Sequence, residues 1–484
     1  MAEPDEKKEP TNAVEHLAAE NTKFATLSVD AKDATEKEHH MTLRQALKLY
    51  PKAIAWSIFL SSAVAMEGYD IVLIASFFAF PPFTKQFGEL QPNGKYQVTA
   101  PWQSALSNGA RVGEILGLTI NGIVAERYGY RKTMIGTLIA MIAFIFVLFF
   151  AKDIGTLVAG ERSDQWAYRI PYALQWVWPI PLLVGILFAP DSPWWLSRRG
   201  RHDDAKKALQ RLTSNTPEAD LDQTVAMMRH TDELEKEISS GTSYWDCFKG
   251  VDLRRTEITC LAWAIQPLCG ASLMGNSAYF FEQAGLGTGV SFDFSIGLYA
   301  IAMVGVVIAW FAMARLGRRT LFVGGLVFMC LVLLIIGFVA LAPPKAKGPN
   351  FAIGSLLLVW ALVYNITVGT ITYSIVAEMP SSRLRTKTVV LGRNLYNVIG
   401  IVNGIITPRM LNPSAWNWKG KSGFFWAGMC LLCLVWAFFR LPEPKGRTYG
   451  EMDALFERGI SARKFKSTAA ELFVDEVVEE KVEK

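Results

Sequence analysis

The sequence predicts an all-α polytopic membrane protein with about ten membrane-spanning helices. Of its 484 residues, 51% are hydrophobic and only 19% are charged. Apolar runs of about 20 residues recur along the chain, and basic residues cluster at their ends. A soluble enzyme could not carry so much apolar surface, so these observations exclude the soluble classes.

Polar and apolar stretches divide the chain into five parts. The first part lacks an apolar core and is predicted to be a cytoplasmic tail. Charged amphipathic stretches at 203–212 and 224–238 predict a small helical platform between two helical bundles. The predicted parts are the tail 1–52, an incomplete four-span bundle 53–190, a cytoplasmic loop 191–256, a six-helix bundle 257–440 and a cytoplasmic tail 441–484.

Two short basic motifs indicate that the chain is built from a repeated half. They are Ala125–Thr133 and Ala314–Thr320, and each follows two apolar spans within its half. Because four spans follow the second motif and only two follow the first, the symmetry predicts that two spans are missing between Gly160 and Trp166. The predicted spans after the motifs lie at about 134–151 and 171–190 in the first half, and at about 321–342, 351–377, 387–408 and 422–440 in the second.

The basic clusters also predict the orientation of the chain in the membrane. With residues 1–52 inside, every short loop that carries three clustered basic residues falls on the cytoplasmic side. Attraction of these clusters to the cytoplasmic membrane surface explains the formal charge of +5, so no nucleic-acid partner is predicted. Loss of two spans leaves every remaining loop on the same side of the membrane, so it is compatible with membrane insertion.

The chain shows no pattern of catalytic or metal-binding chemistry. Five of its six cysteines lie inside apolar spans, which argues against a disulfide framework or a zinc site. Cys430 and Cys433 have CxxC spacing, for which helix packing is the favoured interpretation over redox activity. Without a nucleotide motif, a metal cluster or a nucleophile constellation, the protein is predicted not to be an enzyme and to need no cofactor.

Several motifs carry a resemblance to a known family. Pro190–Leu196, Glu378–Arg385 and Pro442–Thr448, together with the paired basic loops, resemble the sugar porter branch of the major facilitator superfamily. The likeness runs from about residue 40 to residue 460. Four further stretches resemble fungal maltose and general α-glucoside permeases, which are proton symporters: Met66–Asp70, Gly109–Gly117, Asp164–Pro171 and Ala278–Gly285.

The resemblance agrees with the gap that the symmetry predicts. It implies the major facilitator fold, whereas this chain passes from Gly160 through Glu161–Ser163 directly into the approach to the sixth helix. About 60 residues of the family pattern, containing the fourth and fifth helices, are missing by this comparison. The expected fold therefore has about ten helices instead of about twelve.

Three carboxylates lie within predicted spans. Glu67 and Asp70 are three residues apart on one helix face, and Glu114 lies in the middle of the second span. A charge at such depth costs at least about 2–3 kcal/mol unless it is paired or hydrated, so these residues either function or form structural ion pairs with Arg111 or Arg393. The resemblance implies proton coupling by this set and Arg393, with Asp70 as the favoured proton carrier.

A sugar site needs side chains that hydrogen-bond hydroxyl groups and aromatic faces that cover the ring. Gln266 matches the first glutamine of the sugar porters' Gln-Gln motif, whereas Pro267 and Ser272 replace its second glutamine and a following asparagine. That departure favours a disaccharide-sized site. Hydrogen bonding between helices is the alternative role for each candidate. The candidates are Gln266, Asn276 and Tyr279 in the seventh helix, Tyr364, Asn365, Thr370 and Tyr373 in the tenth-helix equivalent, and Asn394 and Asn397 in the next helix.

The basic loops are predicted to form a cytoplasmic latch rather than a binding site. Arginines of the second motif are expected to pair with acidic residues and to hold the helices closed when the transporter faces outward. In the first half, the counterpart of Glu378 falls in the missing stretch. The latch candidates are Glu126, Arg127, Arg131 and Asp191 in the first half, and Arg315, Arg318, Arg319, Glu378, Arg383 and Glu443 in the second.

Three functions are compatible with the sequence. The first is proton-coupled import of α-glucosides such as maltose across the plasma membrane, by a monomer that binds sugar and protons within the lipid bilayer. The second is an inert or defective permease, which the missing helices favour. The third is a non-transporting sugar receptor, which the short C-terminal tail of about 44 residues disfavours. The linkage of the sugar stays open, because one extra hydroxyl group is weakly discriminated unless buried partners go unpaired.

Overall fold

The structure is a computed structural model that describes residues 45, 48–90, 94, 96–150, 174–213, 218–239, 243–343, 347–381, 383–447, 449–465 and 468. Within these residues the chain is mainly helical, and Glu89 pairs with Gln97 in a short antiparallel sheet. The strands are β1 Glu89–Leu90 and β2 Tyr96–Gln97, and the helices are α1 Pro51–Phe77, α2 Pro81–Phe87, α3 Ala100–Tyr128, α4 Tyr130–Phe150, α5 Pro179–Phe188, α6 Pro193–Arg198, α7 His202–Leu212, α8 Glu218–Ser239, α9 Gly250–Gln266, α10 Ser272–Gly275, α11 Ser277–Gln283, α12 Thr288–Arg315, α13 Arg318–Val339, α14 Lys347–Ile366, α15 Val368–Glu378, α16 Arg385–Leu411, α17 Ser422–Arg440 and α18 Tyr449–Glu457.

Six helical segments among the described residues are long and apolar enough to cross a membrane. Helices α1, α3 and α4, with 27, 29 and 21 residues, also reach the length of a span. The predicted class of polytopic helical membrane protein is therefore confirmed. The six segments are Gly250–Gly275, Thr288–Arg315, Arg318–Val339, Gly348–Glu378, Arg385–Leu411 and Lys419–Arg440.

The predicted spans of the second half agree with these helices to within a few residues. The span predicted at 387–408 is α16, and the span predicted at 422–440 is α17. The gap predicted between Gly160 and Trp166 lies outside the described residues, so the count of ten spans stays a prediction.

The described residues belong to two compact units. The first unit contains those within 1–67, 119–146 and 175–240. The second contains those within 68–118, 147–174 and 241–484, and it includes all six long apolar segments.

The first unit has a small apolar core formed by α1, α4 and α5. Met66, Leu138, Leu182 and Ile186 are buried in it. A Cβ atom on Gly185 would lie 2.2 Å from the Phe59 ring, so the glycine is what allows α5 to approach α1 this closely.

Two helices of the predicted loop belong to the first unit. Helices α7 and α8 cover the amphipathic stretches at 203–212 and 224–238, and the cytoplasmic platform that they would form stays a prediction. Leu209, Leu221 and Met228 form the buried face between the two helices. The charged face is exposed and carries ion pairs such as Lys206–Asp222 at 2.8 Å.

The second unit contains a continuous apolar core. Helix α13 packs against α17, α12 against α14, and α9 against α16. Large side chains fill the spaces between these helices, and Trp360, Trp426 and Phe322 are fully buried. This unit therefore holds its helices together by the close packing that replaces a hydrophobic driving force inside a bilayer.

The segment after the last long helix is docked onto the second unit as far as the structure describes it. Arg255, at the start of α9, donates to the Met379 carbonyl at 2.8 Å and also pairs with Asp453 of α18. Its guanidinium lies 4.7 Å from the Phe456 ring. Met452, Leu455, Phe456 and Phe465 are buried in the same contact. A buried arginine therefore fastens α18 to the turn that follows α15.

Replacing Arg255 with lysine is expected to release this segment. Lysine keeps the charge but cannot make the forked set of hydrogen bonds, so the unfolding free energy should fall by about 1–3 kcal/mol. Hydrogen exchange of residues 449–465 in the membrane-reconstituted protein measures the release directly. The matched control is Arg383→Lys, because Arg383 is half-exposed and pairs with Asp252 at 3.0 Å. Unchanged protection of 449–465 in Arg255→Lys would contradict this account of the clamp.

Candidate functional site

An ion pair joins two long helices within the second unit. Arg393 of α16 donates to the Glu114 carboxylate of α3 across 2.6 Å. The two side chains are only 28% and 25% exposed. The Trp263 and Tyr396 rings flank the guanidinium, with centroids 5.3 and 4.8 Å from its carbon. The sequence offered Arg111 and Arg393 as partners for the intramembrane carboxylates. The structure shows Arg393 in contact with Glu114.

Two glycines allow α3 to approach α16 beside this pair. A Cβ atom on Gly400 would lie 2.3 Å from Arg111 Nη1, and one on Gly404 would lie 2.2 Å from Asn108 Oδ1. Gly400 and Gly404 are four residues apart and so share one helix face, which is the spacing that brings transmembrane helices close together. The Arg111 side chain therefore lies against the backbone of α16, whereas Glu114 makes the ionic contact.

The other predicted coupling residues lie on α1. Glu67 and Asp70 are within Pro51–Phe77, and the positions of their side chains fall outside what the structure describes. Their role in proton coupling stays a prediction.

The seventh span is interrupted near the predicted sugar residues. Helix α9 ends at Gln266, and a π-helical turn, Pro267–Ala271, follows it. Gly270 has φ of 105° in this turn, a left-handed conformation that glycine adopts at little cost. The sequence identified Pro267 as a departure from the sugar porter pattern but did not predict the break. Discontinuous helices of this kind form the central binding sites of many transporters.

Asn403 of α16 stabilises the interruption. Its amide nitrogen donates to the Pro267 carbonyl at 2.8 Å and to the Ser272 hydroxyl at 3.2 Å. These bonds satisfy polar groups that a continuous helix would have satisfied internally. Sequence analysis missed Asn403. A buried amide in the middle of an apolar span is the signal that could have found it.

The span predicted at 351–377 is interrupted as well. Helix α14 ends at Ile366 and α15 begins at Val368, because Thr367 has φ of −117° and ψ of −98°. Gln266 Nε2 donates to the Gly369 carbonyl just beyond this break, at 2.9 Å. A side chain at the first interruption therefore binds the backbone at the second.

Three of the predicted sugar residues make hydrogen bonds to backbone carbonyls near them in the chain. Asn276 donates to the Ser272 carbonyl at 3.0 Å, and Asn365 donates to the Ala361 carbonyl at 2.8 Å. The Thr370 hydroxyl donates to the Asn365 carbonyl at 2.6 Å. These three residues thus support helices beside the breaks.

The predicted aromatic residues differ in exposure. Tyr373 is 58% exposed, and its ring meets Trp263 edge to face at 5.0 Å. Tyr364 is buried and stacks on Trp360 at 5.1 Å, and Tyr279 is almost completely buried. Tyr373 is the one of these three that presents a large open surface.

The two asparagines predicted on α16 also differ. Asn397 is completely buried, and neither its amide oxygen nor its amide nitrogen has a hydrogen-bond partner among the described residues. Asn394 is half-buried. An unpaired buried amide is costly, so Asn397 is a candidate for binding a polar ligand.

The structure brings together part of the predicted latch. Arg318 and Glu378 form an ion pair at 3.0 Å. The Glu443 carboxylate binds backbone groups instead of guanidinium groups, accepting from the N–H of Arg318 at 2.8 Å and of Arg319 at 3.0 Å. It therefore caps the positive end of α13. A Cβ atom on Gly317 would lie 2.0 Å from this carboxylate, so only glycine leaves room for the cap.

Other charges of the second unit have partners that the sequence did not predict. Arg383 pairs with Asp252 and not with the latch. Lys445 donates to the carbonyls of Ala314 and Arg315 and so caps the other side of the basic loop. Glu257 accepts from Trp436 at 2.9 Å and from Arg440 at 3.0 Å, which links α9 to α17.

Basic residues of the first unit cap a helix. Arg131 donates to the carbonyls of Ile186 and Leu187 at the end of α5, at 3.2 and 2.5 Å. Arg131, one of the latch candidates of the first half, thus binds backbone carbonyl groups at the end of a helix. The Arg127 carbonyl accepts from Arg199 at 3.5 Å, and the Glu126 side chain lies outside the described residues.

The broken spans and intramembrane polar contacts of the second unit define a class, the multi-pass membrane transporters. The profile of the family "Sugar (and other) transporter" matches residues 56–162 and 154–456. The chain therefore belongs to the sugar transporter family, a family of transporters rather than of enzymes, as the motifs predicted.

Relatives of the chain include two permeases of Saccharomyces cerevisiae. A maltose permease is 39% identical over 505 residues, which cover 92% of this chain and 82% of the relative. A general alpha-glucoside permease is 37% identical, with coverage of 92% and 82%.

Solved structures show the fold. The xylose transporter XylE from E. coli in its inward-open conformation has a TM-score of 0.60 and 15% identity, covering 83% of this chain and 99% of that chain. A proton:xylose symporter structure of the major facilitator superfamily, bound to 6-bromo-6-deoxy-D-glucose, has a TM-score of 0.58 and 15% identity, covering 83% and 99% of the two chains. The protein thus has the major facilitator fold.

The alignments also bear on the predicted gap. The alignment with the maltose permease runs over 505 residues, whereas 92% of this chain of 484 residues is about 445 residues, so about 60 aligned positions lack a counterpart here. The family profile matches in two pieces that overlap at 154–162, next to Gly160. Both findings are compatible with the predicted loss of about 60 residues of family pattern, which stays a prediction together with the helix count.

The hydrogen bonds of Asn403 lead to a stability prediction. Asn403→Leu leaves the Pro267 carbonyl and the Ser272 hydroxyl without a donor, so the unfolding free energy should fall by about 1–3 kcal/mol. The matched control is Asn397→Leu on the same helix, because Asn397 is also buried and its amide has no hydrogen-bond partner among the described residues. It should be neutral or stabilising. Denaturant titration in mixed micelles measures both variants, and equal losses would contradict the role assigned to Asn403.

Proposed function

We propose that the protein imports α-glucosides of the size of maltose across the plasma membrane together with protons. The Glu114–Arg393 pair, flanked by aromatic rings beside a broken helix, is the observation that carries the proposal. Similarity to the maltose and alpha-glucoside permeases supports the choice of sugar.

Protons act in this proposal by changing the charge on intramembrane carboxylates. A carboxylate next to a cation changes its partners when it is protonated, because the ionic attraction is lost. Asp70 takes a proton from outside, stays neutral while the transporter changes conformation, and releases the proton inside. Glu67 and Glu114 complete the set, and Arg393 supplies the cation.

The sugar site uses the exposed ring of Tyr373 near the breaks, which offers a face to the C–H surface of a sugar. The buried amide of Asn397 has an unpaired donor and acceptor among the described residues, and in this proposal they bind a sugar hydroxyl group. Gln266, Asn276, Asn365 and Thr370 already bind backbone carbonyls. In this proposal these four side chains either support the helices that line the site or exchange their bonds to carbonyl groups for bonds to sugar hydroxyl groups.

The basic loop at 314–320 acts as the cytoplasmic latch. The Arg318–Glu378 pair and the Glu443 cap link α13 to the ends of α15 and α17. Opening toward the cytoplasm separates these contacts, so their strength sets the balance between inward-facing and outward-facing states.

A second candidate is a permease that is inserted but inert. The loss of about 60 aligned positions favours it, because the fourth helix of each half lines the central cavity in this fold. Without that wall, a polar side chain of the cavity would face lipid or a water-filled breach at a cost of about 2–3 kcal/mol or more, unless another helix pairs it as Arg393 pairs Glu114.

A transport assay with three proteins separates these possibilities. Proteoliposomes with an inward proton gradient receive the chain as it stands, the chain with a relative's fourth-to-fifth-helix segment grafted between Gly160 and Arg162, or the grafted chain with Asp70→Asn. Import by the chain as it stands predicts labelled maltose accumulation by the first two proteins, whereas an inert chain predicts accumulation by the second alone. Neither candidate allows accumulation by the third, since the amide keeps the size of Asp70 but cannot titrate.

Other results of this assay would bear separately on the missing segment, on the proposed substrate and on proton coupling. Strong accumulation without the graft would show that the missing segment is not needed. A correctly inserted graft that moves no α-glucoside would contradict the proposed substrate. Equal uphill uptake with and without Asp70→Asn would contradict proton coupling through this residue.

A further inference from the structure

A short turn with outward-facing aromatic side chains precedes the span Gly250–Gly275. It is the 3₁₀ helix Tyr244–Phe248. Trp245 is 75% exposed, and Tyr244 and Phe248 are each about half exposed. Large aromatic rings at such exposure are unfavourable in water, so this surface needs an explanation.

The turn is firmly folded. The Ser243 side chain accepts from the Trp245 N–H at 3.4 Å, and the Asp246 carboxylate accepts from the Ser243 N–H at 2.6 Å, a reciprocal capping box. A hydrogen bond from Lys249, and then the one from Ser243, lowers the pKa of the Asp246 carboxyl. The aromatic side chains are therefore carried on a defined backbone.

The inner face of the turn is fixed to the second unit. Cys247 is completely buried and lies 3.8 Å from the buried Thr388 hydroxyl of α16. Trp245 and Phe248 are three residues apart, so they share one side of the 3₁₀ helix. Their ring centroids are 6.3 Å apart. One side of the turn is thus attached to the protein, and a different side presents a pair of rings.

The position of the turn beside a membrane span indicates that these rings contact lipid. Phe248 is two residues before the first residue of a membrane span, and the exposed side chains Val251 and Leu253 continue the apolar surface onto that span. Lys249 is exposed beside the rings. Tryptophan and tyrosine are enriched where a bilayer meets water, and lysine favours the same level because its charge reaches the headgroups.

We propose that the Tyr244–Phe248 turn is a membrane anchor whose Trp245 and Phe248 rings insert into the headgroup region of the adjacent lipid leaflet. By the distribution of basic residues, this is the cytoplasmic leaflet. The anchor fixes the depth of the first span of the six-helix bundle. It does so whether or not the protein transports sugar.

Spin labelling tests the anchor in the full chain. Trp245→Cys and Phe248→Cys are labelled in separate samples and reconstituted into phosphatidylcholine vesicles. The native cysteines are buried except the half-buried Cys260, and the labelled parent chain provides the correction for them. Collision rates with oxygen, which concentrates in lipid, and with a water-soluble nickel chelate are then measured. The control is Glu457→Cys, an exposed polar position at the end of α18 in the same unit.

Both aromatic positions should show an oxygen-to-nickel accessibility ratio about threefold or more above that of the control. A ratio equal to the control at both positions would place the rings in water and overturn the proposal. Low access to both reagents would show that protein covers the rings, which would also overturn it. If one variant fails to fold, the other decides the question.

Discussion

The structure depends on one constraint: inside a bilayer, no water is present to satisfy a polar group that the protein leaves unpaired. Each break in a span and each intramembrane charge therefore requires a partner from another helix. Asn403 satisfies the break at Pro267, Gln266 binds the backbone beyond the break at Thr367, and Arg393 neutralises Glu114. The same residues that allow irregular backbone in the membrane also hold that region together.

Backbone groups at the ends of helices also need hydrogen-bond partners. Side chains in and near the basic loops supply these partners. Glu443 caps the start of α13 through backbone N–H groups, and Lys445 caps the end of α12. Arg131 does the same for the end of α5. Charged side chains near the helix ends thus bind backbone groups as well as each other. The proposed latch would be directional, because a cap requires the helix end and the side chain to meet at one place.

Features that repeat along the chain could be predicted from the sequence, and features that need two distant segments could not. Apolar length identified α16 and α17, and the amphipathic period identified α7 and α8. The break at Thr367 is hidden in an apolar run, since nothing in the local composition distinguishes it from the helix on either side. The Arg255 clamp joins residues about 200 positions apart, beyond the reach of any local pattern. The sequence offered Arg111 and Arg393 as alternative partners for the intramembrane carboxylates, and only the structure shows that Glu114 pairs with Arg393.

A double-mutant cycle on Glu114 and Arg393 tests the central claim that intramembrane charges persist here because they are paired. Glu114→Gln, Arg393→Gln and the double variant are compared by their apparent free energy of unfolding in mixed micelles. Each single change should lower it by about 1–3 kcal/mol, because the remaining charge loses its partner in a partly buried position. The double variant should lose at least about 1 kcal/mol less than the sum of the single losses. Additivity to within about 0.5 kcal/mol would contradict the claim.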